Sequence, residues 1–183
     1  MGTDMRTEGS SVLEHIAEAA VAGAGEVFET MLHLRPVPIV TDDVRVSGEW
    51  ISGIIGLASE VMAISVVIHF PLPLAQHVTA LLLGLQTGTP AVDGDEVHDA
   101  IGEIANMVAG RIKNRICGEY PALSISLPSV VAGAQFSIFQ GVHAPSFHYQ
   151  LLLADKVCWI EGAVVERRAS GRRRGEDRPV AAA

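Results

Sequence analysis

Residues 95–116 read DEVHDAIGEIANMVAGRIKNRI and carry the clearest structural pattern in the chain. Apolar side chains recur there every three or four residues, which places them along one side of an α-helix. This apolar stripe consists of Val97, Ile101, Ile104, Val108 and Ile112. Asp93 with Glu96 three positions later is typical of a helix start, and Gly118 is a natural end. The pattern therefore predicts a helix that runs to about residue 116 with one face on a core.

Helical and β-prone segments flank this helix on both sides. Helical spacing also predicts a helix over 12–32, capped by Ser10 or Ser11, and a shorter one that opens at Pro71 and runs through Leu85. A loop is expected at 86–90. Predicted strands, rich in β-branched residues, are 37–40, 44–46, 51–59, 62–70, 122–127, 135–139, 148–154 and 157–165.

The order of these elements is helix, strands, short helix, long helix, strands. It predicts an α+β fold in which two helix-plus-strands halves share one mostly antiparallel sheet, with the helices packed on it. No sequence repeat is evident, so the internal duplication is inferred from the order of elements alone.

Three polar residues of the long helix lie almost opposite its apolar stripe. Asp99, Glu103 and Asn106 are spaced i, i+4, i+7 and fall within roughly 60° of one another. A solvated polar face is the ordinary interpretation of such a set. Here, however, two like charges stand one turn apart, Glu103 has no cation at three or four residues' distance, and Asn is a poor residue inside a helix. The set therefore favours a functional face.

Small residues accompany this face. Gly110 lies one turn beyond Asn106, and Gly102 and Ala109 flank it. Each glycine costs about 1 kcal/mol relative to alanine inside a helix. We interpret them as clearing space for another molecule. We therefore predict Gly102 and Gly110, together with Asp99 of the polar face, as supporting docking residues.

The chemistry that this face can perform is to position a water molecule and a partner group. The Asn106 carboxamide can donate and accept hydrogen bonds, so it can hold a water molecule in line with a bond that is already reactive. An acyl phosphate is such a bond, and phosphoryl transfer depends mainly on positioning and charge stabilisation. Glu103 suits the binding of a cation on a partner.

Composition limits the alternatives. The 183 residues, 49% of them hydrophobic, allow one domain, which we predict over 11–166 after a flexible N-terminus at 1–10. The formal charge is −8, but six arginines against three acids lie from Glu166 onward, so the rest of the chain is strongly acidic. Such a body argues against nucleic-acid binding. The Arg-rich end, 167–183, is predicted to be a disordered tail, with a docking arm as the alternative.

Other classes of function find little support. Cys117 and Cys158 are too few for a disulfide framework, and we expect both to be buried. No metal set is expected, because His143 and His148 would lie on opposite faces of a strand. The apolar window 51–70 contains Glu60, and no apolar run follows a basic start at the N-terminus. We therefore expect a cytoplasmic protein with no membrane segment.

The polar face resembles the active face of a known family. CheC, CheX and FliY phosphatases share an Asp or Ser, three residues, a Glu, two residues, an Asn, and a Pro some twenty-two positions later. The matching residues here are Asp99, Glu103, Asn106 and Pro128. In CheC both halves carry the pattern. The first helix here offers Glu14, Glu18 and Val21 at the same spacing, so only one site is intact, which is similar to the CheX arrangement.

The resemblance implies the function. It implies a phosphatase that hydrolyses the aspartyl phosphate of a CheY-like response-regulator receiver, in which Asn106 orients the attacking water and Glu103 pairs with a receiver lysine. The receiver would supply the Mg²⁺, no cofactor would be bound by this chain, and the protein would be a homodimer that pairs through its sheets. The alternative is a non-catalytic CheX-like binding module or scaffold that docks a receiver or a motor-switch partner.

Overall fold

The computed structural model describes residues 5–40, 48–85, 93–134, 136–138 and 144–166. The helices in this part of the chain are α1 (Met5–Met31), α2 (Leu72–Leu82) and α3 (Gly94–Ile116). The strands are β1 (Val37–Ile39), β2 (Trp50–Ala58), β3 (Met62–Pro71), β4 (Ser124–Ile125), β5 (Ser129–Gly133), β6 (Ser146–Leu153) and β7 (Lys156–Glu166).

All the described strands belong to one sheet with the order β1-β6-β7-β3-β2-β4, and β5 also pairs with β2. Every strand pair is antiparallel. At the centre, β3 from the first half of the chain pairs with β7 from the second, from Met62 opposite Glu166 to His69 opposite Trp159. The two predicted halves therefore share one antiparallel sheet, and the predicted α+β class is confirmed.

The helices cover one face of this sheet. The predicted apolar stripe of α3 is completely buried, in one cluster with alternate residues of the central strands, such as Ile64, Val66 and Ile68 of β3 and Ile160 of β7. α1 contributes Ile16, Ala20 and Phe28 to the same cluster. Burial of these side chains is the main stabilising contribution to the fold, and it fixes which face of α3 points outward.

Two glycines let α3 pack closely on its neighbours. A Cβ on Gly53 of β2 would lie 2.9 Å from the Ala105 Cβ and 3.0 Å from the Ile101 carbonyl oxygen. On the α1 side, a Cβ on Gly23 would lie 3.1 Å from the Arg111 Cβ. The distance of α3 from both the sheet and α1 therefore depends on positions that carry no side chain.

Several predicted boundaries are wrong. α1 begins at Met5, inside the segment expected to be flexible, and it continues through the predicted serine cap, although Thr7, Gly9 and Ser10 are not strong helix formers. α2 ends at Leu82, because Gly84 takes a left-handed conformation (φ +67°).

The strand predictions for the second half were less accurate. The segment 122–127 contains only the short strand β4, and β5 was missed. The strand predicted at 135–139 does not form over 136–138, and its ends lie outside the described residues. The predictions for 44–46, 86–90 and 167–183 also lie outside the described residues.

Candidate functional site

The start of α3 is fixed by its first residues. The Asp93 N–H donates a hydrogen bond to the Glu96 Oε2 at 3.1 Å, which is half of a capping box. Acidic residues occupy the first turn and basic residues the last, as the helix dipole favours. The predicted helix start is confirmed. Because the opposite side of the helix is buried, the polar face points to solvent.

The three polar residues of α3 share its solvent-exposed side. Asp99, Glu103 and Asn106 are all exposed, opposite the buried stripe. Among the described residues, none of the three side chains has a hydrogen bond or an ion pair. An exposed carboxylate and an exposed amide about one turn apart are therefore free to bind groups on another molecule. The docking interpretation required an accessible Asn106, and the structure meets that requirement.

The two glycines predicted as docking residues differ. A Cβ on Gly110 would meet nothing within 4 Å, so Gly110 leaves the exposed face open. Gly102 is buried, and a Cβ there would lie 3.6 Å from the Val130 Cγ2 and 3.7 Å from the Pro128 Cγ. Gly102 faces the chain's own β5 region, because it lies on the flank of α3 and not at the centre of its polar face. Gly102 is thus covered by Pro128 and Val130 of the same chain, and its supporting role in docking stays a prediction.

Pro128 lies against the helix flank at Gly102. It comes just before β5, and Val130 within β5 makes the neighbouring contact. The proline and the Glu103–Asn106 pair are separated by more than twenty residues in sequence, yet the fold brings them to adjacent positions. The site therefore consists of the α3 face with the Pro128 segment along one side.

On its other side, α3 is attached to α1. Glu26 of α1 forms ion pairs with Arg111 at 2.8 Å and with Arg115 at 3.0 Å. Farther along, His15 Nε2 lies 3.3 Å from a carboxylate oxygen of Glu119. These exposed or half-exposed pairs contribute little stability individually, but they link the second half of α3 to its neighbour.

A second polar cluster lies on the other face of the sheet and was missed in the sequence. Ser52 Oγ lies 2.7 Å from His69 Nδ1, and His69 Nε2 lies 3.3 Å from Glu161. Trp50 and Trp159 stack beside it with ring centroids 4.6 Å apart. Ser52 is fully buried, so no substrate can reach its hydroxyl. Only strand pairing brings these residues together, and no local pattern marks them.

The two cysteines also differ from each other. Cys158 is buried, and burial raises the pKa of its thiol to about 12. It is a small core residue, as predicted. Cys117 is exposed, so the prediction of burial is wrong there. It caps the C-terminus of α3, where the chain leaves the core.

The described ranges contain neither a grouping of metal ligands nor a membrane-spanning helix. No group of three or more His, Cys, Asp or Glu side chains there is arranged to hold a metal ion. None of the helices in that part of the chain is both long and apolar enough to cross a membrane.

Comparison with known proteins identifies the family. The sequence model of the family "Chemotaxis phosphatase CheX" matches residues 51–152. This match spans more than half of the chain, and the protein belongs to the CheX family. No curated protein matches the chain.

Solved structures share the fold. CheX from Vibrio vulnificus is 24% identical with a TM-score of 0.70, over 82% of this chain and 96% of that one. CheX from Desulfovibrio desulfuricans is 21% identical with a TM-score of 0.68, over 82% and 99%. The CheX–CheY–BeF3–Mg²⁺ complex from Borrelia burgdorferi contains a chain that is 18% identical, with a TM-score of 0.61 over 81% and 97%.

Proposed function

We propose that this protein hydrolyses the aspartyl phosphate of a CheY-like receiver. The observation that carries the proposal is the exposed pair of Glu103 and Asn106 on one face of a rigidly packed helix, with no competing partner among the described residues. Membership of a chemotaxis phosphatase family supports the activity. A CheX from Borrelia burgdorferi crystallised with CheY supports the kind of partner.

Asn106 supplies the positioning step. Its side-chain oxygen accepts a hydrogen bond from a water molecule and its NH₂ group donates to the phosphoryl group, so that the water oxygen lies in line with the P–O bond. The bond from the water oxygen to phosphorus forms as the bond to the aspartyl oxygen breaks. The products are the receiver's carboxylate and inorganic phosphate. A hundredfold acceleration requires only about 2.7 kcal/mol off the barrier.

Glu103 supplies the binding step. Its exposed carboxylate accepts hydrogen bonds from a lysine ammonium on the receiver, which fixes the receiver relative to Asn106. Asp99, one turn earlier, adds negative charge on the same face in a supporting role. The Mg²⁺ that neutralises the phosphoryl oxygens is bound by the receiver, and this chain binds no cofactor of its own.

The test is an assay of phosphate release. Receivers from the source organism, phosphorylated with acetyl phosphate in Mg²⁺, are mixed with the wild-type protein, Glu103→Ala or Asn106→Ala. We expect the wild type to accelerate phosphate release from one receiver and either variant to lose about a hundredfold of that acceleration, because the water or the receiver is no longer positioned.

Asn114→Ala is the matched control, because Asn114 is an exposed asparagine of the same helix, about two turns farther along. It should keep the wild-type rate. Full activity in both site variants would contradict the assignment of the chemistry to this face. Tight binding of a receiver with no acceleration by the wild type would show instead a binding module or scaffold.

We further propose that the protein is a cytoplasmic homodimer. Trp159, which stacks on the buried Trp50, is half-buried on the sheet face opposite the helices, and a second copy would cover it there. Light scattering should give twice the mass of one chain. A monomeric mass at micromolar concentration would contradict the dimer without affecting the phosphatase proposal.

A further inference from the structure

An irregularity in strand pairing lies beside the site. Leu57 of β2 pairs with Ile125 of β4, and Ile54 of β2 pairs with Ser129 of β5. Two residues of β2 therefore stand opposite the three residues 126–128. One extra residue on one strand is the definition of a β-bulge, and bulges redirect side chains away from the regular alternation of a sheet.

The bulge is held by specific hydrogen bonds. Ser126 makes two hydrogen bonds to Gly56 of β2. Its Oγ accepts one from the Gly56 N–H at 3.0 Å, in place of a backbone carbonyl, and its own N–H donates one to the Gly56 carbonyl oxygen at 2.9 Å. The same hydroxyl donates to the Leu127 carbonyl oxygen at 2.9 Å. Pro128 follows with a fixed φ and packs on Gly102. The backbone on both sides of Leu127 is therefore held in place, by hydrogen bonds at Ser126 and by packing at Pro128.

Leu127 itself is directed into solvent. Its side chain is 89% exposed, although its neighbours on either side are hydrogen-bonded or packed. A single exposed leucine on a mobile loop would carry no meaning, since surfaces contain many apolar atoms. Here the leucine is presented by a fixed backbone, which removes much of the entropic cost of using it in an interface.

The position of Leu127 connects it to the site. It precedes Pro128, whose ring contacts α3 at Gly102, and Gly102 precedes Glu103. A protein that places a lysine on Glu103 and a phosphoryl group at Asn106 must cover the edge of α3 next to Pro128. An apolar side chain at that edge would then be removed from water.

We propose that Leu127 is an apolar docking residue for the phosphorylated receiver, and that it selects receivers with an apolar patch beside the phosphorylation site. This inference rests on the proposed phosphatase function and extends its docking surface from α3 to the bulge. Glu103 and Asn106 act on groups expected in any receiver, whereas a contact at Leu127 depends on the receiver's surface. Leu127 therefore affects affinity and choice of receiver, and it takes no part in the hydrolysis.

The test separates binding from chemistry. The Kd for the beryllofluoride-bound receiver is measured by titration, and phosphate release is measured with the same receiver. Leu127→Ser should raise the Kd and KM about tenfold and leave kcat unchanged, whereas Leu127→Met should stay close to the wild type. Both variants should keep the wild-type Tm, because the side chain is exposed.

Val37→Ser is the matched control. Val37 is also an exposed apolar residue, but it lies on β1 at the opposite edge of the sheet. It should leave both Kd and KM unchanged. If the wild type is active and Leu127→Ser has the wild-type Kd and KM, the role of Leu127 is refuted and the phosphatase proposal stands. If the wild type neither binds nor dephosphorylates any receiver, both proposals fail.

Discussion

α1 and α3 contribute to the same core, yet their corresponding outward positions differ. On α3, the positions spaced i, i+4, i+7 hold Asp99, Glu103 and Asn106, and all three are exposed. On α1, the same spacing holds Glu14 and Glu18, which are exposed, and then Val21, which is half-buried against the core. Both helices thus offer carboxylates, but only α3 offers an accessible amide. The type and exposure of the residue at the third position therefore distinguish the two helices.

Two regions of the sheet also differ in what their glycines make room for. On the α3 side, Gly53 allows the backbone of the helix to approach β2 closely. In the other half of the sheet, a Cβ on Gly162 of β7 would meet the ring of Phe147 and the Ser65 carbonyl oxygen instead. There the glycine accommodates a neighbouring side chain and the backbone of a neighbouring strand, and not a helix. The close packing of α3, the helix that carries the candidate site, therefore depends directly on a residue of the sheet.

The largest effect on this comparison is expected from Gly53→Ala. The new Cβ would lie 2.9 Å from the Ala105 Cβ and 3.0 Å from a backbone oxygen of α3, so the helix must move away from the sheet. Overpacking of this kind costs about 1–3 kcal/mol. We expect a loss of about 2 kcal/mol in the free energy of unfolding in urea, together with weaker phosphatase activity of the folded protein.

Gly56→Ala is the control for this change. It lies on the same strand, and its nearest neighbour would be the Ser126 Oγ at 3.6 Å, which is an ordinary contact. It should lose less than about 0.5 kcal/mol. Equal stability of the two variants would show that the position of α3 does not depend on Gly53.

A smaller effect is expected from Val21→Asn, which gives α1 the residue pattern of α3. Val21 packs partly against the core, so its replacement by a polar residue should cost about 1 kcal/mol. It should create no activity in an Asn106→Ala background, because a half-buried amide cannot reach a receiver. Urea unfolding and phosphate release measure the two effects.

Ala22→Asn is the control, since Ala22 is the exposed neighbour of Val21. It should show only the helix-propensity cost of about 0.7 kcal/mol or less. Restored phosphate release by Val21→Asn would contradict the inference that exposure of the third position separates the two helices.

The sequence predictions were accurate for features that depend on residues close together in the chain, and less accurate for features that depend on distant segments. α3, its start at Asp93 and its buried stripe were predicted correctly, because they depend on residues within a few turns of one another. The hairpin of β2 and β3 is also correct, since a short connection joins two strongly β-prone segments. β5 was missed, because it is short and forms only where β2 supplies its hydrogen bonds.

The sequence by itself determined the helix, its outward polar face and the family resemblance, because helical periodicity sets the relative direction of side chains. It could not determine that Gly102 is covered by Pro128, that Leu127 is exposed in a bulge next to that proline, or that Cys117 is exposed. Each of these depends on which distant segment packs against a given side of α3. Only the tertiary structure decides that, because contacts between distant segments form when the whole core is assembled.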